Sequence, residues 1–258
     1  MSAIEFCDTS PPLGGASPAG WWKGLALGRS LARGGAPVRQ PVVLPPPRPA
    51  EGELRHAELF AASRDATGVA LALAFALDQV VPDQRPWLWV QDPVALRLSG
   101  RPYRPGLPLA LRHRLLHVAA ANPEEALFAL EEGLRCRDLA FVIGELAGNP
   151  KALSFTASRR LSLVAEQHGV PLWLVRLDAA HDLSSARMRW EVRAAPSLPP
   201  RWNPAAQGTP AWQAELFRAR AHPPGEWILR DDGPGLTAAS PDHGHLAAPA
   251  GDRSLGAG

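Results

Sequence analysis

Cysteine is nearly absent from the 258-residue chain: Cys7 and Cys136 stand alone, too few for a disulfide framework or a thiolate metal cluster. Long apolar runs are missing too. The longest, residues 69–77, falls far short of the roughly 20 residues that a bilayer-spanning helix needs. No basic N-terminal segment leads into an apolar stretch of the signal-peptide kind, so a cytoplasmic location without membrane contact is the expectation. Charge of either sign is not in large excess: 27 Lys plus Arg face 25 Asp plus Glu. The overall field is therefore too weak to imply a nucleic-acid or membrane partner by itself. The signatures G-x-S-x-G, H-E-x-x-H and C-x-x-C do not occur, which leaves hydrolase and metal readings without support.

What is present suits one globular domain with additional non-core sequence, since 46% of residues are apolar and 20% charged. Residues 1–52 are rich in proline and glycine and show no sustained period of 2 or 3.6. They read as a disordered arm carrying the scattered apolar residues Trp21, Trp22, Leu25, Leu27 and Leu31. Residues 231–258 read as a disordered tail, in which His243 and His245 offer two imidazoles with no third ligand. A folded domain over 53–230 remains.

Within that domain, short apolar strands alternate with helical segments. Strands are expected at 57–60, 87–91, 115–119, 139–144 and 171–177. Most are apolar at consecutive positions, as in LAFVI at 139–143 and LWLV at 172–175, which implies burial on both faces and a mainly parallel sheet flanked by helices. The fold class is α/β. Asn122, Pro123 and Glu125 give a cap, a first-turn proline and a capping-box acid for a helix reaching about Arg137. Its Leu127, Leu130 and Leu134 share one face, while Glu131 and Arg135 pair at i, i+4. A second helix begins near Thr156, buries Leu161, Val164 and Ala165, and stops at Gly169.

The first strand, the loop after it and the next helix sit where a phosphate-binding loop would. In G-x-x-x-x-G-K-[ST] the glycines let amides close round phosphates, the lysine neutralises charge and the hydroxyl holds magnesium. The defining positions here are Ala61, Ala66, Thr67 and Gly68, and none matches. Arg64 lies beside Asp65, whose carboxylate repels a triphosphate. Neither a nucleotide cofactor nor catalysis is expected. Of the remaining ATPase parts, Glu145 reads as a solvated strand-end acid and Asp92, followed by Pro93, as a turn residue.

Several segments together resemble the ImuA family, RecA-like proteins of bacterial inducible-mutagenesis cassettes. They are LRHAELF at 54–60, ALFALEEGLR at 126–135, LSFTASRRLSL at 153–163, ARMRWEV at 186–192, WQAELFRAR at 212–220 and PGEW at 224–227. The resemblance spans about residues 54–232 and is carried by the order of its segments. It implies a RecA-like core without ATPase activity, supporting error-prone translesion synthesis with ImuB and the polymerase ImuC, with RecA as a further partner. A cell-division inhibitor resembling SulA and acting on FtsZ is the alternative, and an ATPase with a divergent loop is a third.

Two surfaces are candidates for contact. Arg159, Arg160, Arg187 and Arg189, with Arg193, would form a basic strip for DNA phosphates, against a reading as solvated edge-strand charges. If 211–221 is a helix, Trp212 and Leu216 make a stripe flanked by Phe217, with Trp227 following, a set suited to anchoring a protein partner, against a reading as a terminal helix packed on the chain's own core. His113 and His117 would share a metal only on a helix, and 115–119 reads as strand.

Overall fold

The computed structural model describes residues 55–79, 84–200, 202–203, 205–231 and 235–239. The arm at 1–52, with Cys7, Trp21 and Trp22, and the tail from 240 onward, with His243 and His245, lie outside the described residues.

Nine strands form one sheet: β1 (His56–Ala61), β2 (Trp87–Gln91), β3 (Leu115–Ala119), β4 (Val142–Ala147), β5 (Leu172–Leu177), β6 (Met188–Ala194), β7 (Ala211–Ala219), β8 (Gly225–Asp231) and β9 (Leu236–Ala239). Their order is β3-β2-β4-β5-β1-β6-β7-β8-β9. Pairing is parallel from β3 through β6 and antiparallel from β6 to β9. The helices are α1 (Thr67–Gln79), α2 (Pro93–Ser99), α3 (Leu109–Arg112), α4 (Pro123–Arg135) and α5 (Phe155–His168), with a 3-10 turn at Arg104–Gly106. The expected α/β architecture and mainly parallel sheet are present.

Caps read from the sequence act as caps. The Asn122 side chain accepts from the Glu125 amide at 2.7 Å, and the Glu125 carboxylate accepts from the Ala121 amide at 3.0 Å. Gly169 takes the left-handed φ of 73° that ends α5. Helix α1 is apolar on most sides because it lies on one sheet face. There Leu71, Phe75 and Ala76 share a core with Leu59, Trp173, Val175, Trp190 and Trp227. On the opposite face, Leu127, Leu130, Leu161 and Val164 of α4 and α5 pack on Leu88, Val142, Leu172 and Leu174.

Three expectations are corrected. The strand placed at 139–144 runs over Val142–Ala147. Gly144 does not end it; a Cβ there would come 2.8 Å from Leu174 and 2.9 Å from Leu130, so the glycine admits neighbouring leucines to the strand. The segment expected as a helix at 211–221 is β7. A spacing of four, as between Trp212 and Leu216, lies on one face in both a helix and a strand, and pairing with β6 and β8 selects the strand. The tail expected to be disordered from 231 contains β9, whose Leu236 is buried against the α1 core.

Trp212 is only 4% exposed, whereas Trp202 is 81% exposed. Replacing Trp212 with Ala is expected to lower unfolding stability in urea by about 3–5 kcal/mol, and Trp202→Ala to change it by no more than about 0.5 kcal/mol. Equal effects would contradict the β7 placement.

Candidate functional site

The strand, loop and helix do assemble in the expected order, and two of the loop's amides are already engaged. The Thr67 amide donates to Asp65 Oδ1 at 3.0 Å and the Ser63 amide to Asp178 Oδ1 at 3.0 Å. Asp178 lies just past β5 at a φ of 50°, and its own amide donates to the Ala61 carbonyl at 3.0 Å. The side chain and amide of Ser63, together with the charge of Arg64, hold the Asp178 carboxyl below its ordinary value. Two internal carboxylates thus stand where a phosphate would seek donors, and their charge opposes another anion.

The lysine and hydroxyl positions are both buried. Thr67, at the lysine position, is buried and its hydroxyl has no hydrogen-bond partner. At Gly68, the magnesium-hydroxyl position, a Cβ would come 2.7 Å from Val175 Cγ1 and 2.9 Å from the Ala61 Cβ. A serine or threonine there has to displace β5 packing.

The two candidate acids are engaged as well. Glu145 is 1% exposed rather than solvated. Its carboxylate accepts from Trp89 Nε1 at 3.2 Å, Gln91 Nε2 at 2.7 Å and Ser99 Oγ at 2.5 Å. Burial raises its pKa against the pull of those donors. Gln91 in turn lies 2.8 Å from His117 Nε2 through its own oxygen. Asp92 is the cap of α2, accepting from the Ala95 amide at 2.6 Å and from the Ala147 amide at 3.2 Å. His113 caps the end of α3 while His117 is in β3, so the pair does not share a helical face.

A buried polar cluster was missed in the sequence. Glu58 of β1, fully buried, receives Arg189 Nε from β6 at 2.7 Å and the Ser184 hydroxyl at 2.7 Å. Arg176 of β5 approaches the same carboxylate at 3.7 Å and Asp182 at 3.4 Å. Phe60 lies under both guanidiniums, 5.5 Å from Arg176 and 5.0 Å from Arg189. The available signal was a single Asp, Glu, Lys or Arg in each of two strands otherwise suited to burial, Glu58 in β1 and Arg176 in β5, which requires a partner.

The proposed basic strip does not form. Arg189 belongs to the buried cluster, Arg160 pairs with Glu131 at 2.5 Å and Arg187 pairs with Glu166. Among the described residues Arg159 makes no ion pair, and Arg193 lines a shallow polar depression with Glu191, Gln213, Glu215 and Glu226. The partner stripe is corrected too: Trp212, Leu216 and Trp227 are core residues. Phe217 is half-buried, its ring stacked on His181 at 4.1 Å and 5.3 Å from the Arg189 guanidinium. Neither the family models nor the curated proteins contain a match to this chain.

Gly68→Ser, which restores the motif's hydroxyl, is expected to destabilise the fold by about 1–3 kcal/mol. The cost of Gly68→Ser should be smaller in a Val175→Ala background than in the parent in the same unfolding assay, and an equal cost in both would contradict the steric account.

His56, beneath the cluster and 2.8 Å from Ser162 Oγ, is pulled down from 6.5 to about 4, chiefly by burial. Between those values the unfolded chain binds the proton that the folded chain refuses. Stability therefore rises as pH goes from about 4 to about 6.5, by on the order of 3 kcal/mol. His56→Gln should flatten that window in urea titrations relative to the parent; an unchanged slope would contradict it.

Proposed function

We propose that the chain is a catalytically silent RecA-type adaptor in damage-induced mutagenesis, supporting translesion synthesis with ImuB and the polymerase ImuC, with RecA as a further partner. One observation carries the silent half of the reading: in the loop that would grip a triphosphate, the Thr67 and Ser63 amides are taken by Asp65 and Asp178, and a Cβ added at Gly68 would meet Val175. A loop merely lacking its lysine would bind nucleotide weakly. A loop closed by its own carboxylates must break internal hydrogen bonds before it binds any.

The adaptor half is supported by the resemblance of six ordered segments to the ImuA family and by an α/β sheet of the general kind such a core requires. Those six segments contribute to β1, α4, α5, β6, β7 and β8, so the likeness follows the framework of the domain rather than one surface loop. Work without nucleotide turnover is then a matter of shape and surface.

The purified chain is expected to show no thermal shift with ATP and magnesium, and a tagged chain to retain ImuB but not FtsZ. A stabilisation of several degrees by the nucleotide, the linkage signature of specific binding, would overturn the silent reading. Retention of FtsZ without ImuB would favour the SulA-like alternative.

A further inference from the structure

Positive charge is unevenly distributed along the chain. Between Asp92 and Glu124 stand Arg97, Arg101, Arg104, Arg112, Arg114, His113 and His117, and no carboxylate. Since the whole chain has a formal charge of only +2, the rest of it is net negative. The basic excess is local.

The fold places this segment along one edge of the sheet. Helix α2, the 3-10 turn and α3 connect β2 to β3, and β3 is the outermost strand. Polar contacts pin the connection. Gln91 Nε2 donates to the Gly100 carbonyl at 3.0 Å, the Ser99 hydroxyl to Glu145 at 2.5 Å, and an Arg104 terminal nitrogen to the Leu115 carbonyl at 3.2 Å. Arg97, Arg101 and Arg104 are all exposed. Between the last two, Tyr103 is 74% exposed, with one edge against Gly106, where a Cβ would come 3.1 Å from the ring.

The charge here is not neutralised within the fold. Among the described residues Arg97, Arg101 and Arg104 make no ion pair, in contrast to Arg135, Arg160, Arg187 and Arg189. Arg104 bonds a backbone carbonyl and keeps its full charge. The acids bonded to this connection, Asp92 and Glu145, are buried beneath it and engaged. The field reaches His117, which is held below its ordinary value by burial and then by the charges of Arg101 and Arg104.

Three exposed arginines outside any ion pair and an exposed aromatic ring on the same connection match a strand of phosphates whose bases are free to stack. A duplex keeps its bases paired and would leave Tyr103 unused. We propose that Arg97, Arg101, Tyr103 and Arg104 form a binding surface for single-stranded nucleic acid, the arginines on phosphates and the tyrosine ring against a base. This surface lies apart from the arginines first considered for DNA, and it does not depend on the adaptor reading.

Fluorescence anisotropy of the full chain with a labelled oligothymidylate of about 20 nucleotides, across a salt series, tests it. The parent should bind and weaken with salt. Arg97→Ala/Arg101→Ala/Arg104→Ala should lose at least about tenfold in affinity, with a log K against log salt slope shallower by about 2. Tyr103→Ala should weaken binding by about tenfold with the slope unchanged, while Arg159→Ala should leave it intact. All five positions in these variants are exposed, and unaltered melting would confirm the fold of each. Absence of binding by the parent would overturn the proposal, as would equal affinity of the triple variant. So would displacement of the oligonucleotide by polyglutamate at equal charge with no effect of Tyr103→Ala, which would assign the surface to an acidic protein segment.

Discussion

A carboxylate buried in the middle of a sheet must be paired, and Glu58 imposes that condition on much of this fold. Its partners come from both strands that flank β1 and from the crossover between them: Arg176, Arg189 and Ser184. A slip of β5 or β6 by one residue would turn its arginine to the other face and remove one of the two cationic partners of the buried carboxylate. Apolar packing alone specifies such a register less sharply, because leucines and valines on neighbouring positions can replace one another.

The same cluster governs the crossover at 178–187, which has little apolar anchorage; its Leu183 is exposed. Asp182 meets Arg176 and Asn149, Ser184 meets Glu58, and Ser185 meets Ser162. His181 is stacked on Phe217 and bonded to Glu191 at 2.9 Å. This strap is therefore held by polar contacts from end to end, and its first residue is Asp178, the acid that engages the loop after β1. Pairing demanded by Glu58 and closure of the phosphate loop are linked through one short segment of backbone.

The framework was legible in the sequence wherever the decisive interactions are local. β2 and β3 fall on the expected residues, and α4 and α5 start and stop at caps that act within a few positions. What was not legible depends on distant neighbours. Gly144 resembles a strand end until Leu130 and Leu174 are seen beside it. Trp212 and Leu216 satisfy two periodicities, and only pairing with β6 and β8 separates them. For the site, the missing lysine and glycines were plain, but Asp178 lies more than a hundred residues from the Ser63 amide it accepts. The basic strip failed for the same reason: whether an arginine is available depends on which carboxylate the fold brings to it.

An absent motif and an occupied one are physically different states. Had only the lysine and glycines been lost, the helix terminus would still present free amides, and a nucleotide could bind with the affinity that backbone donors and magnesium supply. Here Asp65 and Asp178 satisfy two of those amides, and Val175 stands against Gly68. Writing the consensus residues back into 61–68 would therefore leave Asp178 and Val175 opposing both the phosphate and the hydroxyl. These two groups lie on β5 and the crossover, outside the motif. The loop has become part of the packing that secures β1 to β5, and a triphosphate would have to compete with that packing.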